Sequence, residues 1–237
     1  MNIIIPLGGK GERFVKEGYT VPKPLIKVLD KEILFYVIDN LEIDDNDKIF
    51  IIYNKDLDIK DIVSLKYPKI TLIKLERDTK GAAETVYIGI TEILKLDHNK
   101  KTILIDGDTF YTENIIKMSK NCDSNAIFYQ KNYDECPIYS YINFDADNIV
   151  NDIREKYKIS HNANTGAYMF NDINVLLYYS MFIVENDIKF NNECYTSCII
   201  CEMIKNNETF LAIELTDVHV LGTPKQVNEF ILKNEKI

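Results

Sequence analysis

Three glycines within four positions, flanked by two cations, mark the first place where this chain could do chemistry. Residues 7–14 read Leu7-Gly8-Gly9-Lys10-Gly11-Glu12-Arg13-Phe14. Glycines let backbone approach an anion closely and turn its N–H groups inward. Lys10 and Arg13 add local positive charge of the kind a polyphosphate needs. Beyond them, Lys23 stands between Pro22 and Pro24, so its ammonium is carried on a stiff backbone and is presented with little loss of entropy. Asp106 and Asp108 flank Gly107, and two carboxylates at i, i+2 on a strand-end turn can both reach a hard cation such as Mg2+. Two familiar phosphate loops do not fit. The dinucleotide pattern fails at Phe14, and no G-x-x-x-x-G-K-[ST] string exists. Read alone, the glycines could be a turn and Asp-Gly-Asp a conformational device.

The elements that must position these residues show in the periodicity. Asn2–Pro6, Lys48–Tyr53, Ile70–Lys74, Thr102–Asp106 and Ser124–Tyr129 are continuous, β-branched runs, as expected of strands buried on both faces. Glu32–Leu41, Ile59–Tyr67, Ala82–Leu94 and Glu113–Lys120 have helical spacing between them. Further on, Ser140–Phe144, Ile149–Arg154 and Ala163–Phe170 read as strands, and Ile173–Val184, Tyr195–Lys205 and Lys225–Glu235 as helices. The alternation predicts an α/β fold, a three-layer αβα sandwich around a mixed, mostly parallel, Rossmann-like central sheet. The expected organisation is one domain over 1–237, and the glycine loop lies at the carboxyl end of the first strand, where open α/β sheets bind ligands.

Composition narrows the partners. Of 237 residues, 46% are hydrophobic, and the formal net charge is −9 with no basic run, which argues against a nucleic-acid binder. No apolar stretch approaches the ~18 residues of a membrane span, and the N-terminus lacks a signal-peptide pattern, so a cytoplasmic protein is expected. Four of nine glycines and three of six prolines fall in the first 24 residues, which marks a specialised backbone there. Cys194, Cys198 and Cys201 have the C-x3-C-x2-C spacing of an iron–sulfur site. The apolar run around them instead predicts thiols on the buried face of a helix near the C-terminus.

LGGKGERF followed by VPKPLIKV resembles the N-terminal signature of the nucleotidyltransferases that make activated sugars, the sugar-1-phosphate nucleotidylyltransferases, which the smaller cytidylyltransferases share. Further blocks follow in that family's order, so the resemblance covers nearly the whole chain. It implies a GT-A-like sheet, with residues 1–130 binding the nucleotide and 131–237 the acceptor. Leu7, Gly8, Gly9, Lys10 and Gly11 would hold phosphates, and Lys80, Gly81 and Ala82 the base and ribose; Gly81 followed by alanines lets a flat base lie against backbone. Asp108 would bind Mg2+, with Asp106 as a neighbour on the nucleotide side. Glu155 and Lys156 resemble the pair that meets the sugar and its phosphate, and Asn164, Thr165 and Gly166 the strand lining the acceptor. Leu221-Gly222-Thr223-Pro224 resembles an ending that elsewhere supplies a second metal aspartate, but that position is Val220 here. Either Asp217 or His219 takes the role from a shifted turn, or the metal is held by Asp108, substrate phosphates and water.

The implied reaction is attack by an acceptor phosphate on the α-phosphorus of CTP, UTP, dTTP or GTP, with pyrophosphate leaving. Arg13 and Lys23 are the catalytic candidates, and the product would be an activated sugar of the kind used for capsule or other surface polysaccharides. The acceptor is expected to be a sugar 1-phosphate; a non-sugar phosphate is the first alternative. A glycosyltransferase, which could also use Asp106-Gly107-Asp108, and a non-catalytic nucleotide sensor are the others. The chain is expected to be a monomer or homodimer.

Overall fold

The computed structural model describes residues 1–96 and 98–235. The first strand, β1 (Asn2–Leu7), runs into α1 (Glu12–Lys16), a short 3-10 turn (Lys23–Leu25), a small hairpin of β2 (Lys27–Val28) and β3 (Lys31–Glu32), and α2 (Ile33–Asp39). Next come β4 (Lys48–Tyr53), α3 (Lys60–Lys66), β5 (Thr71–Lys74), α4 (Ala82–Lys95), β6 (Thr102–Ile105), β7 (Thr109–Tyr111) and α5 (Ile115–Lys120). The second half contributes β8 (Asn125–Lys131), β9 (Ser140–Phe144), β10 (Val150–Glu155), β11 (Asn162–Phe170), α6 (Ile173–Glu185), α7 (Thr196–Lys205), β12 (Phe210–Glu214), β13 (Val218–Val220) and α8 (Pro224–Asn234).

Among the described residues, nine strands form one mixed sheet. Its heart, β6-β1-β4-β5, is parallel, and β11 closes onto β6 in antiparallel sense. The predicted three-layer architecture is therefore present. One face packs Leu34, Val37, Val63 and Ile115 from α2, α3 and α5, and the other packs Val86, Ile90, Leu176 and Ile200 from α4, α6 and α7. Apolar side chains on both faces explain why the strands read as unbroken hydrophobic runs. Pro6 is tolerated in a central strand because the β1–β6 ladder ends at Ile4 opposite Leu104.

Helix α1, the β2–β3 hairpin, β12 and the β7–β13 pair were not anticipated. Phe210–Glu214 forms β12, parallel to β8 with Phe210 opposite Asn125. A two-strand ladder of β7 and β13 sits off the main sheet, with Val220 opposite Thr109 and Val218 opposite Tyr111. The cysteines partly follow expectation: Cys194 is buried just before α7, and Cys198 and Cys201 are half-buried on it. No described helix is long and apolar enough to cross a membrane.

Candidate active site

The carboxyl ends of the four parallel strands deliver the cleft. β1 leads to the glycine loop, β4 to Asn54, β5 to the segment ending in Asp78–Gly81, and β6 to Asp106. The loop is held from below: Asn54 N–H donates to the Leu7 carbonyl at 3.0 Å, and Asn54 Nδ2 donates to the Gly8 carbonyl and to Asp78 Oδ1, each at 3.0 Å. Asp78 Oδ2 in turn pairs with Lys10 Nζ at 2.6 Å. Gly11 has φ +67 and begins α1, which sends Arg13 toward the cleft; among the described residues Arg13 has no ion pair. The 3-10 turn between the prolines carries Lys23 to Asp108, where its ammonium pairs with Oδ2.

Three adjoining lobes result. One of about 610 Å3 is lined by the glycine loop, Arg13, Lys23 and Asn54. A second, about 340 Å3, lies between Gly8, Thr79, Lys80, Gly81 and Ala82. The third, about 300 Å3, contains Asp106, Asp108, Glu155, Lys156, Asn164 and Gly166, with Tyr139, Tyr195 and Ser197 on its walls. Gly81 is required by more than its φ of +144: a Cβ there would lie 2.4 Å from the Cys194 carbonyl oxygen. A further apolar cavity of about 650 Å3 lies between β10 and α7 and meets the third lobe at Glu155 and Ser197, whose hydroxyl donates to Glu155 Oε2 at 2.7 Å.

Polar groups around the third lobe are tightly tied. Lys156 has φ +48, and its Nζ bonds the Tyr195 hydroxyl while lying 4.5 Å from the centre of that ring. Asn164 Nδ2 donates to Ser140 Oγ at 2.8 Å, and Gly166 N–H donates to Asn164 Oδ1 at 2.8 Å across a bulge in β11. Burial pushes the Glu155 carboxyl above its ordinary value. Asp106 is pushed up to about 8, chiefly by burial and then by the Asp108 charge, against the opposing Lys23 ammonium. Asp108 also feels burial, but the Lys23 charge and hydrogen bond outweigh it and hold its carboxyl below the usual range.

The Asp106 shift has a testable sign. Its folded pKa is raised, so the native state binds the extra proton between about 4, the unfolded value, and about 8. Stability from this group is therefore present at low pH and is lost as pH rises through that window. Asp106→Asn should consequently match the wild type in Tm near pH 4–5 and exceed it increasingly toward pH 8–9, which calorimetry across that range would show.

Several expected site residues are placed elsewhere. Leu7 is buried, and its side chain packs against Gly107 instead of lining a lobe. Thr165 is also buried, with its hydroxyl donated to the Phe128 carbonyl at 2.9 Å, because alternate residues of a strand point to opposite faces. Asp106 lines the third lobe with the acceptor candidates, not the glycine-loop lobes. Asp217 is removed from Asp108: its Oδ2 accepts from Thr112 at 2.7 Å and its Oδ1 faces His219 at 3.0 Å. The residue bonded to the Asp108 backbone is Leu221, four positions further along, about 13 Å of strand. His219 itself stacks on Phe110 at 4.6 Å.

Asp108 can still fit a divalent cation. Gly222 leaves a cradle beside it, where a Cβ would come within 3.0 Å of Asp108 Oδ2 and 3.3 Å of Gln226 Oε1. The donors there are oxygens, and Asp108 already draws one cation, the Lys23 ammonium. That set suits a hard ion that keeps several waters and takes further oxygens from phosphates. Among the described residues, no group of three or more His, Cys, Asp or Glu side chains could hold a metal without such help.

A parallel-sheet cleft with a glycine loop and fixed cations beside a carboxylate can bind one flat polyanion and bring a second anion alongside it. The family model described as nucleotidyl transferase matches residues 2–217. The chain belongs to that family and is a nucleotidyltransferase. No curated protein matches it by sequence. Among solved structures, it is similar to the nucleoside-diphosphate-sugar pyrophosphorylase of Vibrio cholerae RC9, with TM-score 0.86, 21% identity, and 97% of this chain and 99% of that one covered. It is also similar to the inositol-1-phosphate CTP transferase of T. maritima, with TM-score 0.76, 13% identity, and 98% and 95% covered. A third is HddC of Yersinia pseudotuberculosis complexed with GMP-PN, with TM-score 0.71, 21% identity and 98% of both chains covered.

Proposed function

We propose that the enzyme transfers a nucleotidyl group from an NTP to a sugar 1-phosphate, releasing pyrophosphate and giving a nucleotide-activated sugar. The observation that carries this reading is the meeting of Lys23 with Asp108 where the glycine-loop lobe and the Glu155–Lys156 lobe adjoin. The glycine-loop amides and Arg13 hold the β- and γ-phosphates. Gly81 and Ala82 support the base, which lies against backbone. Lys156 holds the acceptor phosphate, and Glu155, fixed by Ser197, accepts sugar hydroxyls. An acceptor phosphate is already anionic, so no general base is needed, and the chain's work is positioning and charge neutralisation. Lys23 leaves Asp108 for the α-phosphate as charge develops there. Asp108 would hold Mg2+, helped by oxygens from substrate and water, and the ion would supply charge neutralisation at the phosphates. The product class is the donor used in building capsule and other surface polysaccharides.

The acceptor is tested by pyrophosphate release over the four NTPs against sugar 1-phosphates, phospho-alcohols and phosphorylated amino-acid derivatives. A sugar 1-phosphate should give the highest kcat/KM. Turnover confined to a non-sugar phosphate would overturn the acceptor assignment and keep the transfer chemistry.

A further inference from the structure

Glu193 is the one acidic side chain among the described residues that lines all three lobes. It sits on a loop built to hold it in place. Phe190 and Glu193 exchange two backbone hydrogen bonds of 3.0 Å, with Asn191 at φ +47 and Asn192 at φ +66 between them. The next residue locks the loop to the small-residue segment: Cys194 N–H donates to the Lys80 carbonyl, and Ala83 N–H donates to the Cys194 carbonyl, each at 2.9 Å. The Gly81 backbone touches the same residue so closely that no side chain fits between them.

The Glu193 carboxylate lies beside the Tyr195 hydroxyl, and a carboxylate beside a polyphosphate repels it, so the ligand groups suited to it are hydroxyls. Ionised carboxylates only accept hydrogen bonds, and two oxygens can take two hydroxyl hydrogens at once. In a nucleotide, the group between base and phosphates is the ribose. Glu193 lies between the Lys80–Ala82 lobe and the glycine-loop lobe, which is that position. We infer that Glu193 binds the ribose hydroxyls of the NTP and makes the enzyme discriminate against nucleotides that lack them. This rests on the nucleotidyl-transfer reading and adds a residue to its specificity.

The test compares wild type with Glu193→Ala on the NTP used best, its 2′-deoxy and 3′-deoxy analogues, and one fixed acceptor. In the wild type, loss of the bound hydroxyl should lower kcat/KM by about 10-fold or more, as for a charge-assisted hydrogen bond. In Glu193→Ala the parent and that analogue should agree within about threefold. A merely structural loss would lower parent and analogue together and leave the ratio intact. Calorimetric nucleotide binding without acceptor repeats the comparison free of catalysis. Unchanged hydroxyl dependence in Glu193→Ala, or a change confined to acceptor KM, overturns the assignment while transfer stands. Hydroxyl-dependent binding lost in Glu193→Ala, with no transfer by the wild type, would sink the transfer reading and leave Glu193 as the ribose ligand.

Discussion

Lys23→Ala should lower kcat by about 10²-fold or more while leaving the fold intact, the scale expected when one preorganised charge contact with the transition state is removed. The geometry supports a specific role. Pro22 and Pro24 fix the backbone, Pro24 is buried, and the side chain spans from the 3-10 turn to Asp108 with about a quarter of its surface (24%) exposed. Its ammonium is thus held in a partly dry cleft, where a charge is worth more than in bulk water. The fold should survive because the turn's own packing, through Ile26, Val28 and Phe14, does not depend on the ammonium. KM for the NTP should change less than kcat if the contact strengthens in the transition state. Steady-state kinetics with a parallel thermal melt checks both halves, and near-normal turnover would remove Lys23 from the mechanism.

Asp108→Asn is expected to cost about 10²- to 10³-fold in kcat/KM, by the same scale of charge contacts, and to raise the Mg2+ concentration needed for half-maximal rate. Asp108 is the carboxylate kept ionised by Lys23, whereas Asp106 is the one burial drives toward its neutral form. Losing the Asp108 charge also removes one of the influences that raise Asp106. It also leaves Lys23 without its carboxylate partner and removes a group whose depressed pKa stabilises the fold at neutral pH, so rates are to be compared below the variant's Tm, with a thermal melt showing that the scaffold is folded. A variant with unchanged rate and unchanged Mg2+ dependence would exclude Asp108 as the metal ligand.

What the sequence made legible was local. The parallel core showed because strands buried on both faces are written as apolar runs. The glycine loop, Lys23 and Asp108 showed because each lies in a short segment at a strand end. What stayed hidden depends on contacts far apart in the chain. Asn54 ties the glycine loop from 46 positions away, and Glu193 reaches the cleft only because Cys194 is pinned to Lys80 and Ala83. Ladder register decided Asp217: with Val220 opposite Thr109 and Val218 opposite Tyr111, residue 217 falls just before β13, beyond the end away from Asp108. Strand alternation decided Thr165, since Asn164 and Gly166 line the lobe and the residue between them turns away. The β12 strand was missed although runs of the same length elsewhere read as strands; what fixes Phe210–Glu214 is its pairing with β8, a partner distant in the chain.

Transfer of the nucleotidyl group to an acceptor phosphate keeps the α-phosphorus of the NTP in the product, so label from an [α-32P]NTP follows the reacting atom. With acceptor present, the label should appear in a new nucleotide diphosphate product, in equal amount to pyrophosphate released, and neither should form without acceptor. Label appearing only in free nucleoside mono- or diphosphate, or product formed with no pyrophosphate, would overturn nucleotidyl transfer.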